Sequence, residues 1–130
     1  MLIVSPLRVP ISKTKLFTLN LNIYRNSHFH VLYKAKIEYK KVISKQLVKL
    51  PKLGVVTISY TYFPKTKRKV DLGNVLSIHQ KFFEDAIVEL GVLEDDDYKH
   101  IPKTIYLFGG IDKTNPRVEI RIKNYANTVK

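Results

Sequence analysis

The chain has no cysteine, no tryptophan and a single methionine. Without cysteine there is no disulfide scaffold, no thiolate nucleophile and no thiolate metal site. No run of 18 uncharged apolar residues occurs, so no membrane span is expected. The opening residues Met1–Pro6 lack the basic start and longer apolar stretch of a secretory signal. A cytoplasmic location is the expectation. Acid is also scarce, and unevenly so. Residues 1–70 hold one carboxylate, Glu38, against 15 Lys and Arg, a balance of +14. Residues 71–130 hold ten acids and eight bases, a balance of −2, and eight of the acids fall between Asp71 and Asp97.

What remains is a basic chain of 130 residues with net charge +12 and 45% hydrophobic residues. That is enough apolar material for one core, so residues 1–130 are expected to form a single domain with a frayed tail from about 124. A basic excess of this size points to a polyanionic partner, most often nucleic acid. A passive polyanion binder gives no reason to gather its carboxylates in one stretch.

The pattern along the chain predicts elements in the order β-α-β-α-β-β. Lys15–Asn22 alternates as a short strand. Asn26-Ser27 offers cap chemistry for a helix over about 28–50, with Leu32, Ala35, Tyr39, Val42 and Ile43 on its apolar face. Lys34, Lys41, Lys45 and Lys49 form a cationic stripe on another face. Val55–Phe63 alternates as a strand with Val56, Ile58, Tyr60 and Tyr62 inward. A second helix is predicted from near Asn74 to Leu90, with Val75, Ile78, Phe82, Ala86 and Leu90 apolar. Thr104–Phe108 and Arg117–Lys123 read as strands, with Gly109-Gly110 serving a hairpin between them. The expected class is α+β, a mixed or antiparallel sheet with two helices packed against it.

Three clusters bear on chemistry. Asp71 with Glu94, Asp95, Asp96 and Asp97 offers oxygen ligands for a hard divalent cation such as Mg²⁺. In a protein that also gathers phosphate, this is the electrostatic plan of a metal-dependent nuclease. The alternative for Glu94–Asp97 is a solvated loop. A helix from Asn74 to Leu90 spans roughly 25 Å, so Asp71 and Asp96 meet only if the acidic loop doubles back, the helix starts late, or two subunits share the site. Lys81 stands in line with Asn74, Ile78 and Asp85; it would stabilise charge near such a site, or simply pair with Asp85 at i+4. The third cluster is cationic: Lys65, Lys67, Arg68 and Lys69, with Arg8, Lys13, Lys15, Arg25 and the helical stripe, as phosphate contacts without sequence readout. Tyr24, Tyr33, Tyr60, Tyr62 and Phe63 suit stacking on unpaired bases, or a place in the core or an interface. His28-Phe29-His30 has the spacing of a zinc pair only on a strand; on a helix the rings diverge by about 200°, so no zinc is expected. His100, beside the acidic loop, is a candidate for a role near phosphate.

The segments Lys69-Val70-Asp71-Leu72-Gly73-Asn74, Lys81–Ala86 and Leu90–Asp96 resemble the core of the RusA family of Holliday-junction resolvases, carried largely by phages and prophages. Asn20–Arg25 is similar to that family's Asn-rich N-terminal segment. The resemblance extends over roughly Asn20 to Ile122. It implies a crossover junction endodeoxyribonuclease that nicks four-way DNA junctions symmetrically, using Mg²⁺ or Mn²⁺, in phage recombination, repair or DNA processing. It implies metal binding by Asp71, Asp95 and Asp96, with Lys81, Asp71 and Asp96 catalytic. It also implies a homodimer, because a two-fold symmetric junction calls for two equivalent sites. The chain departs from the pattern at Gly73, where the family carries a second Asp, and by about four extra residues between Asp71 and Lys81. A non-catalytic nucleic-acid-binding protein, accessory or an inactive relative, is the alternative expectation.

Overall fold

The computed structural model describes residues 1–48 and 50–125, arranged as one small α+β domain. Four strands form a mixed sheet in the order β1 (Leu2–Ser5), β6 (Arg117–Asn124), β4 (Val56–Phe63), β5 (Lys103–Phe108). β4 runs parallel to β5, and the other two pairings are antiparallel. Between β4 and β5 the chain crosses over through the helix α3 (Leu72–Glu89), as a parallel pair requires. β2 (Arg8–Pro10) and β3 (Leu16–Thr18) make a separate hairpin. A short α1 (Leu21–Arg25) and the long α2 (Phe29–Leu47) follow it.

Alternation explains the central strands. Val56, Ile58 and Tyr60 of β4 and Val118, Ile120 and Ile122 of β6 all face the core. Ala35, Tyr39, Ile43 and Leu47 are the buried stripe of α2. α3 is apolar over a wider arc, with Leu76, His79, Phe83 and Ile87 buried beside Val75, Ile78, Phe82 and Ala86. It needs that arc because it packs against the sheet on one side and α1 and α2 on others. Phe82 joins the layers: its ring stacks on Phe17 of β3 at 5.9 Å and meets Tyr39 of α2 edge-on at 5.6 Å.

Two polar ties fasten β1. The Ser5 hydroxyl lies 2.6 Å from the Tyr39 hydroxyl and 2.7 Å from His79 Nδ1, all buried. Burial holds His79 neutral, pushing its pKa down to about 3. On the sheet edge, the Gln46 side chain accepts from Val4 N–H at 2.8 Å and donates to Val4 C=O at 2.7 Å.

The structure corrects several expectations. Leu2–Ser5 is a strand of the main sheet, whereas Lys15–Asn22 divides into a hairpin strand and the start of α1. The cap of α2 is His28, whose ring accepts from His30 N–H, and not Asn26 or Ser27. α3 begins two residues early because Asp71 caps it. Leu90 is 40% exposed and lies beyond the core. β5 and β6 form no hairpin, because β4 lies between them. Gly109 instead packs on Phe63: a Cβ there would clash with the ring. Asn124 pairs with Val56 and Tyr125 N–H donates to Val55, so the expected tail begins no earlier than 126; residues 126–130 lie outside the described residues. So does Lys49 of the cationic stripe.

Candidate nucleic-acid interface and acidic cluster

The basic loop follows β4 directly. β4 ends at Phe63, Pro64 is buried, and residues 65–71 are exposed before α3 starts. The loop forms one wall of a cleft of about 640 Å³. Lys65, Arg68, Lys69, Asp71 and Asn74 line that side; Arg8 of β2 and Asn20 and Asn22 at the start of α1 line the other. Tyr62 contributes an apolar surface between them. Four cations and one carboxylate thus line the cleft.

Asp71 has a local structural role as well. As the N-cap of α3 it accepts from Gly73 N–H at 3.2 Å, satisfying a free helix donor. Asn20 does the same for α1, accepting from Ile23 N–H at 2.8 Å. Both caps line the cleft. Gly73, the departure from the family pattern, has open space beside it; a Cβ would meet only Asp71 Oδ1, at 3.8 Å.

The acidic loop does double back. Gly91, at φ +76°, ends α3 in a left-handed turn that suits glycine. Gly91 N–H bonds to Val88 C=O, and Val92 and Leu93 N–H both bond to Ile87 C=O. Leu93 is buried, which pins the returning chain against the core. The return reaches the C-terminal half of α3 and there brings Asp96 near Glu84 and Asp85. Burial, then a hydrogen bond and like charge from Asp95, raise the Asp96 pKa; Asp85 adds to this. Asp95 Oδ1 accepts from Asp96 N–H at 2.7 Å.

Asp71 is not part of this group. Fourteen residues of helix separate it from Asp85, about 20 Å at ~1.5 Å per residue. Asp95 and Asp96 come together and Asp71 remains at the far end of α3. Among the described residues, no group of three or more His, Asp or Glu side chains is placed to hold a metal ion. The three-carboxylate ligand set of the resemblance therefore does not fit this arrangement.

Lys81 is exposed on α3 and makes no ion pair among the described residues. Asp85, its expected partner, lies 3.6 Å from Lys36 of α2 instead. In the stripe, Lys34 and Lys41 both hold Glu38 at 3.1 Å, while Lys45 forms no ion pair among the described residues. Lys67 is exposed on the loop outside the cleft lining, and Arg25 is exposed at the end of α1. The His100 ring is engaged by Asp97 at 2.6 Å and Glu94 at 3.4 Å, which raises its pKa and accounts for part of the acidic loop. His28 and His30 do not diverge: they stack at 4.4 Å, because His28 sits outside the helix as its cap.

Sequence reasoning missed Glu84. It is 6% exposed, accepts from Tyr60 O–H at 2.8 Å, and burial pushes its pKa up to about 7. Its signal was an acid flanked by Phe82, Phe83, Ala86 and Ile87, inside the apolar arc of a helix. Tyr62 and the paired Asn20 and Asn22 were also not assigned to the cleft. No protein-family model matches the chain, and no curated protein gives a significant match.

Proposed function

We propose that the chain is a metal-dependent endonuclease of branched DNA, of the junction-resolving kind its resemblance implies, and that a phosphate backbone enters the cleft beside Asp71. The observation that carries this reading is a convergence. Asn20 and Asn22 line the same cleft as Asp71 and Asn74, some fifty residues away in sequence, together with Arg8, Lys65, Arg68 and Lys69. They belong to two of the segments in the resemblance, Asn20–Arg25 and Lys69–Asn74; Lys81–Ala86 and Leu90–Asp96 lie outside the cleft lining. A cation-lined cleft holds phosphates with strong salt dependence and no sequence readout.

Mg²⁺ or Mn²⁺ belongs to this reading. Such ions are held through one or two carboxylates completed by phosphate oxygens and water, and Asp71 is the carboxylate of the cleft. When bound, the ion would activate water and shield charge on phosphorus oxygens. Arg8, Lys65, Arg68 and Lys69 bind and orient the backbone, and Asp71 and Asn74 supply oxygen atoms at the helix start. A homodimer in the host cytoplasm, acting on four-way junctions in phage DNA recombination or repair, completes the proposal.

One observation favours the second reading, a non-catalytic DNA-binding protein: Asp71 stands apart from Asp95 and Asp96, and Gly73 adds no carboxylate. Incubation of the protein with a synthetic four-way junction and a linear duplex, in Mg²⁺ and in Mn²⁺, separates the two. Paired nicks on the junction, lost in Asp71→Asn with binding retained in Ca²⁺, are expected. Tight binding without nicks in either metal would establish the second reading. Asp96→Asn in the same assay reports whether the remote acidic pair takes part; its loss of cutting is expected from the resemblance.

A further inference from the structure

Three rings crowd the start of α2, those of His28, Phe29 and His30, and Tyr33 lies one turn on. Phe29 and Tyr33 are each 69% exposed, and their i, i+4 spacing puts them on one face. The Phe29 ring lies 5.0 Å from that of His28 and 4.2 Å from that of His30, and the two histidines stack on each other. None of the four belongs to the core. An exposed cluster of large rings marks an interaction surface more often than a packing accident.

The charged residues next to it in sequence are cationic. Arg25 ends α1 on one side, and Lys34 follows Tyr33 on the other. Glu38, the single carboxylate of the first 70 residues, lies more than a turn farther on and is occupied by Lys34 and Lys41. The cluster is also continuous with the cleft. α1 carries Asn22 at its cleft end and Arg25 at its ring end, and its five residues span only about 7 Å.

We infer that the Phe29–Tyr33 cluster is a stacking platform for unpaired DNA bases, receiving a single strand that leaves the cleft along α1. The inference rests on the proposed DNA-binding role of the cleft. Aromatic rings interleaved with cations are the chemistry of single-strand binding, since every base offers a π-face while cations follow the backbone. A linear duplex hides those faces inside its own stack. A branch point exposes them, so the platform adds affinity for branched or single-stranded DNA and none for a blunt duplex.

The absence of tryptophan supplies the test. Phe29→Trp places a lone indole in the platform. Its emission is expected to be quenched by an oligothymidylate and left unchanged by an abasic strand of equal length and charge. Phe29→Ala with Tyr33→Ala is expected to weaken oligothymidylate binding about tenfold or more, within the range for lost base–aromatic stacking, while linear duplex binding is unchanged. Tyr33→Phe, with Phe29 intact, retains the ring and is expected to bind as the wild type does. Equal quenching by the abasic strand, or undiminished oligothymidylate binding by the double alanine variant, would overturn the platform and leave the cleft standing. Emission that changes with protein concentration alone would mean that a second copy covers the rings, and would also overturn it. If the wild type binds neither duplex nor single strand, the cleft reading falls and the platform with it.

Discussion

Tyr60, at the centre of β4, donates its hydroxyl proton to Glu84 Oε2 of α3 at 2.8 Å, inside the core. The pair joins the sheet to the helix that carries Asp71 at its start. Burial first, then the charges of Asp96 on the returning loop and of Asp85, push Glu84 up to about 7 against the Tyr60 and Gln80 hydrogen bonds. Loop, helix and strand are thus electrostatically coupled through one acid.

The Glu84 share of stability should therefore fall as pH rises from about 4.5 to about 7. Glu84 has an ordinary value of 4.5 and a folded value of about 7. The folded state holds a proton that the unfolded state has lost, so its contribution is complete below pH 4.5 and is lost as pH passes about 7. The size is roughly 3 kcal/mol. His79 acts in the opposite sense: ordinarily 6.5 and about 3 when folded, it favours the fold above 6.5 and loses that as pH falls. The two cancel between about 4.5 and 6.5, which predicts a plateau there. Glu84→Gln should remove that fall, so that stability keeps rising to about 6.5 where the wild type is flat. Urea titrations across pH would show this, and an unchanged profile would refute it.

Gly73→Asp should fold at least as well as the wild type. The site has room, its φ needs no glycine, and an acid in the first turn of α3 favours the helix dipole. A gain of about 1 kcal/mol in thermal or urea unfolding is expected. Under the nuclease reading, the added carboxylate beside Asp71 should also increase junction cutting at limiting Mg²⁺. Loss of both stability and cutting would count against the geometry of the helix start.

Gly109→Ala should destabilise by about 1–3 kcal/mol, as overpacking does. The new methyl would sit against Phe63, whose ring is held on its other contact by the Arg117 guanidinium 4.1 Å from its centroid. Arg117 in turn binds Asp112 and Glu119, so the ring has little freedom to move. Adding Phe63→Leu should recover part of the loss, and a double-mutant cycle measures how much.

Alanine at Lys65, Arg68 and Lys69 should weaken DNA binding uniformly across sequences. Each lost phosphate contact should reduce the slope of log affinity against log salt by about 0.9. Alanine at Lys34 and Lys41 should change that slope less, because Glu38 already engages both ammonium groups. Equal slopes for the two variants would remove the cleft's privileged role.

The parts that were legible in the sequence are those where periodicity and burial agree. β4 and β6 alternate because one face of each is covered, and α2 and α3 show helical stripes for the same reason. β1 was not legible: Leu2–Ser5 has four residues and becomes a strand only by pairing with β6, more than a hundred residues away. Thr18–Asn22 continues an alternating pattern into a helix whose real signal is the Asn20 cap. Gly109-Gly110 looked like a hairpin because no local feature announces that β4 will insert between β5 and β6. At the site, composition alone exposed the basic loop. The meeting of Asn20 and Asn22 with Asp71 needed the fold, and so did the separation of Asp71 from Asp96, since the reach of the returning loop depends on where Leu93 is buried.

The Gln46 amide acts as a false neighbouring strand, occupying the outward N–H and C=O of Val4. A strand adding beside β1 would first have to displace the Gln46 amide from Val4, so a side chain of the same molecule guards the middle of that border against edge-to-edge pairing.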